Sequence, residues 1–391
     1  MTFEEVKKQH DENIMHTYSR FSVALVSGKG ATAKDCEGNE YIDFTSGIGV
    51  NSLGYCDEKW VKAVSAQAAA LQHTSNLYYV PVQTELAERL CGATGFSKVF
   101  FCNSGAEANE CAVKIARKYG TETYGEAHNE IVTLKNSFHG RTVTTLAATG
   151  QDNFHQFFTP FTAGFSYAEP NLESVLQCVN KNTCAVLIEL VQGEGGVLPV
   201  DAQFANELSA FCKKHDILLM VDEVQTGIGR TGALFCYQNY DIMPDVVSCA
   251  KGLGGGLPVG ACLCTERLGD VLGPGLHGTT FGGNPVVCAG ANAVLDRIQE
   301  DGFLKGVKAK GEYLKSKVEA MEQVELVRGM GMMLGAKLKK NNAREVAAEC
   351  AENGLLVLTA KEMLRFLPPL TITYEEIDKG LAILQHTLNR A

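Results

Sequence analysis

The stretch Val246-Val247-Ser248-Cys249-Ala250-Lys251-Gly252-Leu253-Gly254-Gly255-Gly256 joins an apolar run to a single lysine and a cluster of glycines. An apolar run of this length predicts a buried strand. A lysine at the end of a buried strand is kept from water, which lowers the pKa of its amine and makes it a nucleophile suited to Schiff-base chemistry. The glycines allow a ligand to approach the backbone closely. The alternative is a lysine that reaches solvent before an ordinary turn.

Three more segments that predict strands each lead into charged side chains, and they cover residues 130–137, 183–190 and 216–221. Strands that are apolar throughout and alternate with helical segments predict an α/β fold, with a mostly parallel sheet covered by helices on both faces. Ligands bind at the carboxyl ends of the strands in such sheets. We therefore expect one site to contain the charged residues that follow these ends: Arg141, Glu194, Asp222 and Lys251.

A further strand, residues 98–102, leads through Ser104-Gly105-Ala106 into an amphipathic helix. The free backbone N–H groups and the positive dipole end at such a turn bind phosphate. The alternative is simple N-capping by Ser104, with Glu107 completing a capping box.

Phe138-His139-Gly140-Arg141 also suits a binding site. The guanidinium of Arg141 can hold a carboxylate with two parallel hydrogen bonds, and Phe138 can stack on a planar ring. The alternative is a core phenylalanine beside a salt-bridged arginine. For Arg365, near the C-terminus, the alternative to a binding role is a solvated charge.

The chain has 391 residues, 45% of them hydrophobic, which predicts a large domain with a smaller one. Residues beyond about 300 alternate helix and strand in a less hydrophobic pattern, which indicates a smaller α+β unit. We expect residues 1–50 to belong to the small domain, residues 51–285 to form the large cofactor-binding domain, and residues 286–391 to complete the small domain.

Composition excludes several classes of function. The net charge of -10 and the pI near 5.5 argue against a nucleic-acid surface. No apolar run is long enough to cross a bilayer, and the charged N-terminus lacks the apolar segment of a signal peptide. The fourteen cysteines lack the paired spacing of a zinc site, and many lie in apolar runs. We expect no metal, and a reducing cytoplasmic location.

Taken together, these residues resemble the class III pyridoxal-phosphate aminotransferases, which share the fold-type I architecture. The resemblance extends from about Tyr18 to the C-terminus. It depends on the order and spacing of six stretches: residues 101–109, 138–142, 192–196, 222–227, 251–252 and 277–285.

The resemblance implies a role for each residue around pyridoxal 5'-phosphate. Lys251 holds the cofactor covalently and, once released, shuttles protons to and from the substrate carbon. Asp222 pairs with the pyridinium nitrogen, Gln225 donates to the phenolic oxygen, and Phe138 stacks on the ring. The phosphate lies at the helix start formed by Ser104-Gly105-Ala106.

The resemblance also implies how substrates and a second subunit take part. Thr280 reaches the phosphate held by the neighbouring subunit, so a homodimer with shared active sites is expected. Arg141 binds the substrate carboxylate remote from the transferred amine. Glu194 neutralises Arg365 when an ω-amine is bound and releases it when glutamate or 2-oxoglutarate enters. Ile48 replaces a tyrosine that contacts the free α-amine in ornithine-specific members, and isoleucine suits an acylated nitrogen.

Within the class, the resemblance favours transfer of the ω-amino group of N2-acetylornithine to 2-oxoglutarate, as in bacterial arginine synthesis. Enzymes acting on succinylornithine, succinyldiaminopimelate, ornithine or 4-aminobutyrate share most of these residues and remain alternatives. A non-catalytic paralogue of the same fold is another alternative, although the presence of Lys251, Asp222 and Arg141 argues against it.

Overall fold

The computed structural model describes residues 1–390, over which the chain forms seventeen strands and twelve α-helices. The strands are β1 Leu25–Lys29, β2 Thr32–Asp35, β3 Glu40–Asp43, β4 Lys98–Cys102, β5 Glu130–Leu134, β6 Phe165–Ala168, β7 Thr183–Ile188, β8 Val191–Gln192, β9 Leu198–Pro199, β10 Leu218–Asp222, β11 Val246–Cys249, β12 Gly260–Cys264, β13 Val324–Met330, β14 Met333–Leu338, β15 Leu355–Leu356, β16 Leu358–Ala360 and β17 Met363–Phe366. The helices are α1 Phe3–Asn13, α2 Ser46–Gly49, α3 Glu58–Ala70, α4 Pro81–Thr94, α5 Gly105–Tyr124, α6 Val143–Ala148, α7 Leu172–Cys178, α8 Ala202–His215, α9 Pro285–Ile298, α10 Phe303–Glu319, α11 Ala343–Glu352 and α12 Tyr374–Arg390.

The central sheet has seven strands in the order β4-β12-β11-β10-β7-β5-β6. Strands β11, β10, β7, β5 and β6 pair in parallel, whereas β12 runs antiparallel to both of its neighbours. Every residue of β7, β10, β11 and β12 is buried, because helices cover both faces of the sheet. The predicted mostly parallel sheet is therefore confirmed.

The two faces of this sheet are covered by different helices. Apolar residues of α5 pack with Leu187 and Met220 on one face, and apolar residues of α8 pack with Val186 and Val221 on the other. This alternation follows from the two-residue period of a strand, since successive side chains point to opposite faces. A strand buried on both sides must be apolar throughout, which is the pattern that the sequence shows.

The register of the parallel strands aligns their carboxyl ends. Val221 pairs with Ile188, and Asp222 pairs with Ser248. The residues that follow these positions, Glu189 after β7 and Lys251 after β11, therefore lie along one edge of the sheet beside Asp222.

The other sheets contain strands from both ends of the chain. Strands β13, β14, β17 and β16 form an antiparallel sheet in that order, and β15 pairs in parallel with β3 of the N-terminal β1-β2-β3 sheet. Phe44 and Phe366 pack edge to face, with ring centroids 6.2 Å apart. These contacts agree with residues 1–50 joining the C-terminal part, but the boundaries at 50 and 285 stay a prediction. Ala391, the last residue of the third predicted segment, lies outside the described residues.

The structure of residues 1–390 bears on three matters raised by composition: membrane-spanning helices, metal-binding groups and cysteines. None of the helices within residues 1–390 is long and apolar enough to cross a membrane. The same residues contain no group of three histidine, cysteine or acidic side chains arranged to hold a metal ion. All fourteen cysteines are free thiols, and Cys184, Cys249, Cys262 and Cys264 are buried as expected.

Candidate active site

Lys251 stands two residues beyond the end of β11, at the first position of a short 3-10 turn that ends at Gly254. Its backbone has φ +40°, a conformation that non-glycine residues rarely adopt and that recurs at functional sites. The side chain is half-buried in a cleft of about 600 Å³. Burial lowers the pKa of the Lys251 amine, while Glu194 and Asp222 act in the opposite direction. This environment favours the uncharged, nucleophilic amine.

Asp222 is held by three donors in the same cleft. Its Oδ2 accepts hydrogen bonds from Nδ2 of Asn109 at 2.7 Å and Nδ1 of His139 at 2.8 Å, and its Oδ1 accepts the Val224 N–H at 3.0 Å. Asn109 also donates to the His139 carbonyl at 2.8 Å. These contacts fix the carboxylate at the end of β10, where it can pair with a cationic ring nitrogen.

The start of α5 forms an anion-binding end of the cleft. Ser104 caps this 20-residue helix by accepting the Glu107 N–H at 3.2 Å. The predicted capping box is wrong in one respect, because Glu107 accepts the N–H of Asn103, at 2.6 Å, instead of that of Ser104. At Gly105, a Cβ would lie 2.6 Å from a methyl carbon of Val224, so only glycine fits. Ser104, Gly105 and Ala106 all line the cleft.

Phe138 and Arg141 lie on the loop after β5 and line the same cleft. The Phe138 N–H donates to Oε2 of Glu189 at 2.8 Å. The Arg141 guanidinium lies over two rings, 4.2 Å from the centroid of Phe154 and 5.4 Å from that of Phe138. Within residues 1–390 it makes no ion pair, so the predicted alternative of a salt-bridged arginine is wrong.

Glu194 and Arg365 form an ion pair, with Nη1 of Arg365 2.6 Å from Oε1 of Glu194. Arg365 is 3% exposed, so the alternative of a solvated charge is wrong. Burial alone would raise the pKa of Glu194, but Arg365, together with Lys251 and Gln225, more than offsets this effect, and the net pKa is lowered. Nη1 of Arg365 also donates to Oε1 of Gln225 at 3.3 Å, which connects the ion pair to the cleft.

Two residues that the sequence analysis assigned to the site, Thr280 and Ile48, lie apart from these side chains. Thr280 lines a separate surface cleft together with Ser75 and Leu77. Ile48 is exposed on the turn of α2 and has φ +67°, a strained conformation for a β-branched residue. Ile48 does not line the cleft that contains Lys251.

Among the residues of the cleft that received no role from the sequence are Tyr18, Asn109, His139 and Glu189. Asn109 had a usable signal, because it is a polar side chain on the buried face of α5. Glu189 also had a usable signal in the sequence, because it is an acid that directly follows a buried strand. Burial and the neighbouring Asp222 raise the pKa of Glu189 well above its ordinary value.

The residues of this cleft fit pyridoxal 5'-phosphate. The helix start offers backbone N–H groups for a phosphate beside Gly105, where an added Cβ would clash with Val224. Asp222 offers a fixed carboxylate for a cationic ring nitrogen, and Lys251 supplies an amine of lowered pKa. This sheet and this set of residues define a pyridoxal-phosphate enzyme of fold-type I.

The chain belongs to the class III aminotransferase family, whose sequence model matches residues 14–388. Members of this family depend on pyridoxal 5'-phosphate, so the expected cofactor and the transferase activity are confirmed.

Relatives and solved structures match over the full length. The chain is 47% identical to the acetylornithine aminotransferase of Haemophilus ducreyi, covering 100% of both chains. It superimposes on the acetylornithine aminotransferase of Elizabethkingia anophelis with a TM-score of 0.89 and 32% identity, covering 100% of both chains. It superimposes on the ornithine aminotransferase of Toxoplasma gondii with a TM-score of 0.96 and 28% identity, covering 100% of this chain and 96% of that one.

Proposed function

We propose that the chain transfers the δ-amino group of N2-acetyl-L-ornithine to 2-oxoglutarate, giving N-acetyl-L-glutamate 5-semialdehyde and L-glutamate in arginine biosynthesis. The observation that carries this proposal is the full-length similarity to proteins named acetylornithine aminotransferase, at 47%, 45% and 44% identity in three bacteria. The exposed apolar side chain of Ile48 agrees with it, because isoleucine offers no partner to a free α-amine.

The cofactor supplies a carbonyl that takes up the amino group and a ring that accepts electrons from the substrate carbon. Nζ of Lys251 would hold it covalently and, when displaced, carry a proton to and from the reacting carbon. Asp222, fixed by Asn109 and His139, would keep the ring nitrogen protonated. Phe138 would stack on the ring.

The side chains of Gln225 and the helix start complete the cofactor site. Gln225 lines the cleft and would donate to the phenolic oxygen through its amide nitrogen, since its Oε1 already accepts from Arg365. Ser104, Gly105 and Ala106 would hold the phosphate at the positive end of α5.

Two arginines would bind carboxylates at different positions. Arg141, which has no acidic partner within residues 1–390, would hold the α-carboxylate of acetylornithine. Arg365 would bind the α-carboxylate of glutamate after leaving Glu194. Because Glu194 shields Arg365 while the ω-amine is present, one pocket can accept both substrates without an unpaired buried charge.

We also propose that the chain acts as a cytoplasmic homodimer with shared active sites. Thr280 lies outside the cleft of its own chain, as expected for a residue that completes a neighbour's site. Leu77, which lines the same surface cleft as Thr280, and Phe281, the residue after Thr280 in the chain, expose large apolar side chains, and such a surface is typical of a protein interface. The free thiols support a reducing cytoplasm.

The proposed donor can be tested by measuring kcat/KM for acetylornithine, succinylornithine, ornithine and 4-aminobutyrate side by side, with 2-oxoglutarate as acceptor. We expect acetylornithine to exceed ornithine by at least about tenfold, within the range that single pocket contacts provide. The variant Ile48→Tyr is the matched comparison. It should shift the ratio of the kcat/KM values for acetylornithine and ornithine toward ornithine. A wild-type preference for ornithine would favour the activity named for the Toxoplasma gondii structure. A purified protein that shows no bound cofactor and no turnover would favour a non-catalytic role.

A further inference from the structure

The guanidinium of Arg141 is held by aromatic rings instead of acids. Its carbon lies 4.2 Å from the ring centroid of Phe154 and 5.4 Å from that of Phe138. The two rings pack against each other with their centroids 5.8 Å apart and an interplanar angle of 67°. Within residues 1–390 the guanidinium forms neither an ion pair nor a hydrogen bond. Of the two ring contacts that the guanidinium makes, the contact with Phe154 is the shorter.

Phe154 is itself fixed to the loop that carries Arg141. It ends a short 3-10 turn, and its N–H donates to the Gln151 carbonyl at 3.0 Å. Nε2 of Gln151 donates to the Ser137 carbonyl at 3.0 Å, one residue before Phe138. On the other side, a ring nitrogen of His155 lies 3.1 Å from the Leu146 carbonyl. The turn is thus tied to the loop after β5 and to α6.

An aromatic platform has a specific advantage for an arginine that must bind an incoming carboxylate. An acid would orient the guanidinium equally well but would compete with the substrate for the N–H donors. A ring face attracts the cation without occupying any of the five N–H donors, which point outward in the guanidinium plane. The guanidinium is then pre-oriented, so less side-chain freedom is lost when the carboxylate binds.

We propose that Phe154 is a positioning residue that sets the Arg141 guanidinium to receive the substrate carboxylate. The inference rests on the proposed carboxylate-binding role of Arg141. It extends that role to a turn about thirteen residues further along the chain, which the sequence did not connect with the site. Phe154 would act on both substrates, since each presents a carboxylate remote from the reacting carbon.

The test compares Phe154→Leu, Phe154→Tyr and Arg141→Ala in the cofactor-loaded enzyme. Leucine keeps apolar bulk but has no ring face, whereas tyrosine keeps the ring. We expect Phe154→Leu to raise KM for acetylornithine about tenfold with little change in kcat, and Phe154→Tyr to stay near wild type. Binding of glutarate, an unreactive dicarboxylate, should weaken by a similar factor in calorimetry.

A donor without the carboxylate separates positioning from general damage. N-acetyl-1,4-diaminobutane lacks only the carboxylate of acetylornithine, and its kcat/KM should be unchanged by Phe154→Leu. Equal losses for both donors, or a wild-type KM for acetylornithine in Phe154→Leu, would overturn the inference. If Arg141→Ala leaves the KM for acetylornithine and glutarate binding unchanged, the carboxylate role of Arg141 fails. If only Arg141→Ala weakens binding, that role stands and the role of Phe154 fails.

Discussion

Single residues beside the cleft adopt conformations that cost free energy. Ile48 and Lys251 have φ +67° and +40°, where non-glycine side chains are strained by about 1–2 kcal/mol each. Such strain persists where the surrounding structure fixes the backbone. Lys251 lines the cleft, whereas Ile48 is exposed outside it. The strain was not predictable from the sequence, because neither residue favours a left-handed backbone.

The reacting groups were predictable, but their supporting partners were not. Lys251 and Asp222 follow apolar strands, so local sequence indicates that both lie at the edge of a sheet. Asn109 reaches Asp222 from α5, and His139 reaches it from the loop after β5. Their contacts depend on how a helix and a loop pack against the sheet, and no local pattern contains that information.

The buried carboxyl group of Glu223 leads to a prediction about pH. It accepts the Thr226 hydroxyl at 2.5 Å and the Tyr237 N–H at 2.8 Å. Burial raises the pKa of Glu223 from 4.5 to about 7. Between these values the folded protein binds more protons than the unfolded chain, so folding stability falls as pH rises.

Relative to Glu223→Gln, which does not titrate, the wild type should therefore lose about 3 kcal/mol of unfolding free energy between pH ~4 and pH ~8. Urea unfolding of both proteins at several pH values measures the difference. A constant difference across this range would show that Glu223 keeps an ordinary pKa.

Among the elements, buried strands were easier to predict than edge strands and short helices. β7, β10 and β11 are mostly apolar and buried throughout, and their bounds agree with the predicted strands within one or two residues. β6, with the sequence Phe165-Ser166-Tyr167-Ala168, is a half-buried edge strand, and α6 and α7 are only six and seven residues long. Such short elements carry too few residues for a period to stand out, and packing decides their structure.

The loop after β8 and the strand β17 are joined by the pair of Glu194 and Arg365. Glu194→Ala would leave the 3%-exposed Arg365 charge unpaired when the ω-amine substrate is bound. We expect the half-reaction with acetylornithine to slow by about 10²-fold, and the half-reaction with glutamate to persist or improve. Arg365→Ala should instead damage mainly the glutamate half-reaction.

Single-turnover absorbance changes of the bound cofactor, recorded with each substrate alone, separate the two half-reactions, which steady-state rates combine. Glu194→Gln is a useful comparison, because it keeps a hydrogen-bond acceptor but removes the charge. Equal slowing of both half-reactions in the Glu194 and Arg365 variants would mean that the pair only supports the structure.

At the scale of the whole molecule, long-range contacts join segments that the sequence keeps far apart. Arg230, buried and without an acidic hydrogen-bond partner, donates to the Met332 carbonyl at 3.1 Å and to Oγ of Ser46 at 3.3 Å. Burial lowers the pKa of Arg230 to about 9. This side chain connects the loop after β10 with both the N-terminal and the C-terminal parts. The fold class was predictable from periodicity, but the pairing of β3 with β15 was not, because nothing local relates residues some 300 positions apart.

The proposed sharing of sites between subunits gives the last prediction. Thr280→Ala should weaken binding of the cofactor by about tenfold or more, through loss of a hydrogen bond to its phosphate. Lys251→Ala should abolish turnover in every subunit that carries it. A homodimer of either variant would then be defective at both of its sites when the cofactor is limiting.

A mixed dimer of the two variants distinguishes the possible arrangements. If Thr280 serves the neighbouring subunit, one site combines both defects and the other combines an intact Lys251 with an intact Thr280. Co-refolding equal amounts should then restore about a quarter of wild-type activity at limiting cofactor, since half of the randomly formed dimers carry one complete site. If Thr280 serves its own subunit, each site keeps one defect and activity stays at the level of the unmixed variants. Restored activity would therefore require a dimer whose sites are built from both chains, and it would assign Thr280 to the partner's phosphate.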